Sequence, residues 1–296
     1  MSGKARAHRA IGPICVLLSA VSWSFSGVLS NGIEWNGFSK TGARAVIAVL
    51  IYAAYRRSFR VRLTRNTLIG ALGVMLTSVL YMVALSYTTS ANAIILQYSM
   101  PIFVVGIDWL VFRRRPSPFD LGAVVLVAGG VVLCCAQNLG GGAFLGDMLS
   151  VISGFTFALV FVVSQLPNTS ATDYTYAGML LSVPLSVSLF FDPGVHFSVS
   201  QTVSARALAG EWITVLVMGV SLALGYLFLS VGMKRTSPVT AAILENLEPV
   251  LNPIWVFLFY GEDPGVYTIL GALVVLVTVT AYACIPAILD ARKRRT

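Results

Sequence analysis

Charge is scarce in this chain. Asp, Glu, Lys and Arg make up 11% of its 296 residues and hydrophobic residues 57%, whereas soluble domains carry roughly 25% charged residues. So little charge cannot cover a water-exposed surface, which excludes a soluble globular protein. Histidine is almost missing as well: His8 and His196 fall in a terminal tail and in a connection. With no HExxH, no Walker loop and no nucleophile–base constellation, metal ligation, ATP hydrolysis and nucleophilic catalysis have no residues to work with. No cofactor or metal is expected. The four cysteines, Cys15, Cys134, Cys135 and Cys284, lie inside apolar runs, where thiols act as small packing groups. The longest connection, roughly 192–210, is too short for a soluble domain.

Long hydrophobic runs are what the chain does have. A bilayer core takes about 20 apolar residues per helix, and ten runs are read at about 11–30, 40–55, 68–87, 91–112, 119–136, 144–164, 173–191, 211–231, 238–259 and 266–286. The basic N-terminus before the first run has the outline of a signal peptide. That run is too long for one and carries a serine-rich face with a tryptophan, and losing it would leave an odd number of spans.

The formal charge of +8 is unevenly spread. With the N-terminus inside, the inner segments hold Lys4, Arg6 and Arg9; Arg56, Arg57, Arg60, Arg62 and Arg65; Arg113 to Arg115; Lys234 and Arg235; and Arg292 to Arg295. That is 17 of 20 basic residues, leaving Lys40, Arg44 and Arg206 outside. Basic residues mark the cytoplasmic side, so both termini are placed in the cytoplasm, and the charge points to membrane orientation rather than to nucleic acid. One loop dissents: the connection near 165–173 should be inside yet has no Lys or Arg.

The chain is also internally doubled. Ala93-Ile94-Ile95-Leu96-Gln97-Tyr98-Ser99-Met100-Pro101 recurs 148 residues later, half the chain length, as Ala241-Ala242-Ile243-Leu244-Glu245-Asn246-Leu247-Glu248-Pro249. The echo extends from Thr88-Thr89-Ser90 against Thr236-Ser237-Pro238 to Leu121-Gly122-Ala123 against Leu270-Gly271-Ala272. A fainter echo opens each half, Ser22-Trp23-Ser24-Phe25 against Gly154-Phe155-Thr156-Phe157. Between the stronger matches, the basic Arg113-Arg114-Arg115-Pro116 is replaced by the acidic Gly261-Glu262-Asp263-Pro264. That reversal is expected if the copies cross the membrane in opposite directions. The fold class follows: an all-α integral membrane protein with ten transmembrane helices as two inverted five-helix repeats, residues 1–138 and 139–296. The joint is the glycine-rich stretch Gln137 to Gly142.

Each fourth span opens on a Ser/Thr cap and carries a proline eleven residues in, Pro101 and Pro249. Proline removes an intrahelical bond and bends the helix, so paired bends are expected to open a central chamber. Intramembrane charge is the sharpest signal, because a carboxylate at mid-bilayer costs about 2.5–3.5 kcal/mol on insertion scales. Glu245, Glu248, Asn252 and Trp255 recur at helical spacing and are placed on one inward stripe, with Asn246 beside them. The counterpart stripe is Gln97, Met100, Val104 and Asp108, with Tyr98 opposite Asn246. Asp108, beside Arg113 to Arg115, reads as an interfacial ion pair. Trp23, with Ser19, Ser22 and Ser26, is a candidate wall of the chamber, as are Tyr81 with Thr77 and Ser78, Phe157 with Ser153, and Tyr226 with Ser221. Trp109, Trp212, Trp255, Tyr260 and Tyr267 sit nearer span ends as interface anchors. Gly70 with Gly73, Gly122 with Gly129 and Gly130, and Gly219 with Gly225 are compatible with tight helix crossings.

The doubled five-helix unit, with its Thr-Ser-capped, proline-bearing fourth helix followed by Leu-Gly-Ala, resembles the drug/metabolite transporter superfamily, specifically its ten-helix EamA type. Within it the chain is most similar to bacterial aromatic amino-acid exporters, with Trp23, Tyr81, Tyr98 and Glu245 falling where the central cavity is expected. The resemblance implies a secondary exporter of the inner membrane that works by alternating access between inverted halves. Its partners would be a small-molecule substrate, an amino acid or similar amphipath, and the lipid bilayer, with the chain acting as a monomer and not as an enzyme. A proton-coupled drug or cationic-metabolite exporter is the alternative on the same scaffold, and a non-transporting membrane enzyme or receptor the alternative from another class. Glu245 has no cationic partner in its own span and could bind a substrate cation or exchange protons. A facilitator is slightly preferred, because no relay of groups leads from Glu245 to either surface.

Overall fold

Helices begin where side-chain oxygens take up the first free amides. Asn36 Oδ1 accepts from Ser39 N at 2.9 Å, Thr64 Oγ1 from Thr67 N at 3.1 Å and Ser237 Oγ from Thr240 N at 3.1 Å, with Pro238 at the first helical position. The computed structural model describes residues 3–30, 32–88, 90–134, 144–200, 203–261 and 265–292. Its helices are α1 (Gly3–Ser30), α2 (Gly37–Arg56), α3 (Arg65–Ala84), α4 (Ser90–Gln97), α5 (Met100–Phe112), α6 (Pro118–Cys134), α7 (Phe144–Val163), α8 (Ala171–Ser182), α9 (Ala205–Gly232), α10 (Pro238–Glu245), α11 (Leu247–Tyr260) and α12 (Gly265–Arg292). A 3-10 segment, Val183–Phe190, continues α8, and no strand occurs among the described residues. Taking α4 with α5, α8 with its 3-10 segment and α10 with α11, the chain forms ten rods, five in each half.

Seven stretches are long and apolar enough to cross a bilayer: Ile11–Ser30, Arg65–Ala84, Ala93–Phe112, Phe144–Val163, Ala205–Gly232, Pro238–Phe259 and Gly265–Ala283, with Pro118–Leu133 a shorter apolar helix. Of the two other rods, α2 carries Lys40, Arg44 and Arg56, and the α8 rod carries Asp173 and changes to 3-10 geometry at Pro184.

Packing repeats under exchange of the halves. α1 lies on α9 as α7 lies on α3, α2 meets α9 as α8 meets α3, and α1 meets α11 as α7 meets α4 and α5. The remaining pairs, α6 with α12, α2 with α8 and α5 with α10, map onto themselves. Five rods per half make the second copy start from the opposite side, the arrangement of inverted-repeat transporters.

Loop contacts sort the rod ends into two faces. On one, Arg56 pairs with Asp173 at 2.7 Å, Asn66 donates to Pro167 O at 3.1 Å and Arg114 to Gln165. On the other, Asn36 N donates to Asp192 at 2.8 Å and Thr88 Oγ1 to Asp147 at 2.6 Å. The loop after α7, without a basic residue of its own, thus lies against arginines from its neighbours.

Both fourth rods are broken outright rather than bent. α4 stops at Gln97, and α5 restarts with Pro101 in its first turn; α10 stops at Glu245, and Leu247 begins α11. Pro101 and Pro249 lack the amides that would bond Gln97 O and Glu245 O, so these carbonyls lose their helical partners. Asn246 Nδ2 takes Ala242 O at 2.8 Å beside the second break.

Of the glycines expected at crossings, Gly70 abuts Tyr174, Gly219 abuts Ile47, Gly225 abuts Trp23 and Gly130 abuts Val275. Gly122 and Gly129 have open space where a Cβ would stand, so those two make no crossing. The joint at Gln137 to Gly142 and the acidic pair Glu262 and Asp263 lie outside the described residues.

Candidate substrate cavity

Where the two halves meet, residues from seven helices enclose about 480 Å³ of space, within the roughly 300–1,000 Å³ range of small-molecule sites. One wall is aromatic. Trp23 of α1 meets Tyr226 of α9 edge to face at 4.8 Å and Phe157 of α7 at 5.5 Å, and Tyr81 of α3 and Tyr98 after α4 add two phenols. Gly225 lets this wall form, because any Cβ there would overlap the Trp23 indole.

Opposed charges line the rest. Arg44 of α2 is 4% exposed and its Nη2 donates to Ser78 Oγ at 3.2 Å. Glu248, in the first turn of α11, accepts a hydrogen bond from the Tyr98 hydroxyl. The guanidinium and the carboxylate feel each other's field across the cavity. Thr77 and Gln97 complete the polar side: Gln97 Nε2 donates to Ser153 Oγ at 2.8 Å, and Ser153 donates to Thr77 O at 3.0 Å. Met82 and Leu222 close the apolar side.

Of the side chains proposed from the sequence, Trp23, Ser78, Tyr81, Gln97, Tyr98, Phe157, Tyr226 and Glu248 meet around this one space. Glu245 and Asn246 do not. Both are 0% exposed and packed behind the lining. The single stripe expected for Glu245, Glu248, Asn252 and Trp255 assumed an unbroken helix, and the break at Asn246 resets the rotation, so Glu245 and Glu248 leave the rod on different sides. Trp255 is held inward by a 2.8 Å bond to Ser24 Oγ and stacks on Phe25 at 4.4 Å, so packing to α1 replaces the interface-anchor role. Arg44 is the main residue the sequence reading misplaced. It was assigned to an outer connection, but α2 begins at Gly37 and carries it two turns into the protein. Its position inside the fourth-decade apolar run was the available signal, since a charge within a span is costly unless it has a function. Asp108 falls as expected at the basic end, 3.9 Å from Arg114 and bonded by Gln165 at 3.0 Å.

Comparison with known proteins agrees with this architecture. The chain is 26% identical over 251 residues to the pseudopaline exporter CntI of Pseudomonas aeruginosa, covering 80% of this chain and 83% of that one. It is 24% identical over 214 residues to an uncharacterized transporter of Archaeoglobus fulgidus, covering 69% and 70%. A solved crystal structure superposes with a TM-score of 0.74 over 94% of this chain and 99% of the other at 16% identity, a likeness of fold. The EamA-like transporter family matches residues 10–135 and 144–283, one unit in each half, and with nearly the whole length of both halves matched, the chain belongs to the EamA-like transporter family.

Proposed function

We propose that the protein exports small amphiphilic zwitterions, aromatic amino acids first among them, by alternating access of the central cavity to the two sides of the bacterial inner membrane. The observation that carries this reading is the cavity's lining: one buried guanidinium, one carboxylate and a wall of five aromatic rings, at the junction of two inverted halves. An α-amino acid brings the complementary set. Its carboxylate suits the planar fork of Arg44, its ammonium suits Glu248, and an aromatic side chain suits the Trp23 wall, where ring pairs add about 0.5–1.5 kcal/mol beyond burial. Rocking the halves about the breaks at Gln97 and Glu245 would expose this site to each side in turn. The basic face is then cytoplasmic, with both termini, and the protein acts as a transporter rather than an enzyme. A cationic drug would leave Arg44 facing like charge, which disfavours the alternative.

Uptake of radiolabelled phenylalanine into proteoliposomes, with unlabelled tyrosine, tryptophan and pseudopaline as competitors, tests the assignment. Saturable uptake blocked by the aromatic amino acids supports it. Uptake no faster than in protein-free liposomes would overturn it, and competition by pseudopaline alone would move the substrate to that of the CntI relative.

A further inference from the structure

The second half conceals a carboxyl group that the cavity does not use. Glu245 ends α10 at 0% exposure, and among the described residues neither of its oxygens has a hydrogen-bond partner. Beside it stands Ser19 of α1, also fully buried, whose hydroxyl makes no bond of ordinary geometry. The first half contains the same place in a satisfied form. There the repeat-equivalent Gln97 ends α4 and donates to Ser153 on α7, the counterpart of α1, and Ser153 passes a bond to Thr77 O. The position is therefore built for a side chain that donates. A protonated carboxyl has an O–H to donate, and a carboxylate only accepts. An ionised carboxylate buried without donors or a cation costs several kcal/mol, so the closed surroundings of Glu245 suit the neutral acid.

The charges that reach Glu245 are few. Glu248 on α11 and Tyr98 after α4 share its field, and Arg44 enters through Glu248. On the other helices packed against α10, Ser19 is the neighbour from α1. Asp108 on α5 is held by Gln165, Asp120 on α6 by Ser117 and Tyr282 of α12, and Asp147 on α7 by Thr88.

We propose that Glu245 is a proton-carrying site, holding its proton in the arrangement seen here and releasing it when a substrate ammonium arrives at Glu248, so that export is exchanged for proton entry. The inference rests on the transporter reading above and adds its energy source. The two carboxyl groups flank one helix break, Glu248 facing the cavity and Glu245 behind it. A cation at Glu248 supplies the positive charge that an ionised Glu245 lacks. The proton then leaves the carboxyl for cavity water, and a proton from the opposite side restores it after the halves rock. Proton and substrate cation compete, and linkage makes the competition reciprocal.

Two measurements on the full-length protein in liposomes separate this inference from the substrate assignment. Infrared spectroscopy at neutral pH should show a protonated-carboxyl C=O band that is missing in Glu245→Gln, a variant that copies the amide tolerated at Gln97. Absence of that band from the parent protein would overturn the proton site whether or not phenylalanine is a substrate. In transport, a gradient of one pH unit should drive about tenfold accumulation of phenylalanine for one-to-one exchange, at 1.36 kcal/mol per decade. Glu245→Gln should keep gradient-free exchange and lose the accumulation, and Glu245→Asp should restore part of it. Accumulation that survives in Glu245→Gln, or that follows a sodium gradient instead, would refute the proposal. If phenylalanine is not carried at all, the substrate reading fails and the infrared result still decides the fate of Glu245.

Discussion

Arg44 provides the most specific test of substrate recognition, because it separates charge from shape. The guanidinium is 4% exposed and lines the cavity opposite Glu248, so a substrate carboxylate bound there forms a charge-assisted pair away from bulk water. Such hydrogen bonds contribute about 1.5–3 kcal/mol, which at 1.36 kcal/mol per decade is about 10- to 150-fold in affinity. Arg44→Gln should raise the KM for phenylalanine by a factor in that range. The same variant should also lose selectivity: phenethylamine, which lacks the carboxylate, should compete far more weakly than phenylalanine in the parent protein and about equally in Arg44→Gln. Arg44→Lys keeps the charge without the fork and should fall between. Inhibition of labelled phenylalanine uptake in proteoliposomes reads all three, with detergent melting curves as the control for folding. An unchanged KM together with retained selectivity against phenethylamine in a stable Arg44→Gln protein would refute the carboxylate role.

Gly225→Ala places a methyl group into the Trp23 indole, so about 1–3 kcal/mol of overpacking and a displaced wall should cut transport strongly, whereas Gly122→Ala and Gly129→Ala, with open space at both sites, should leave uptake unchanged. The Tyr52 hydroxyl lies 2.7 Å from Thr175 Oγ1 and 2.8 Å from Ser230 Oγ in a fully buried triad joining α2, α8 and α9; Tyr52→Phe should cost about 1–2 kcal/mol and lower the detergent melting temperature by several degrees, and an unchanged melting curve would show that the triad is energetically idle. Impermeant thiol labelling of intact cells should modify cysteines at 262 and 263 and spare 114; modification at 114 would reverse the orientation drawn from the arginines.

Much of this was legible because the chain says it twice. The 148-residue echo around Pro101 and Pro249 located the broken rods, and with them Gln97, Tyr98 and Glu248 at the cavity. The aromatic wall was legible because Trp23, Phe157 and Tyr226 stand beside small polar residues in apolar runs. What failed was phase and depth. Helical spacing assigns a face only while the helix is continuous, and the break at Asn246 turned Glu245 away from Glu248. Arg44 was counted with the outer loops because loop counting assigns a basic residue near a span end to water. In the fold, α2 starts early enough to bury it, and Ser78 from another helix receives its proton. Contacts of that kind, between residues 34 apart in sequence, leave no local pattern.

The account stands or falls on one cavity facing both sides of the membrane in turn. Ser78→Cys, in a background with Cys15, Cys134, Cys135 and Cys284 replaced, places a single thiol in the lining. An impermeant thiol reagent applied separately to right-side-out and inside-out vesicles measures access from each side, with and without phenylalanine. Labelling from both sides, slowed by phenylalanine in each, is the predicted result. Labelling from one side alone, or from both with no protection by any aromatic amino acid, would contradict it.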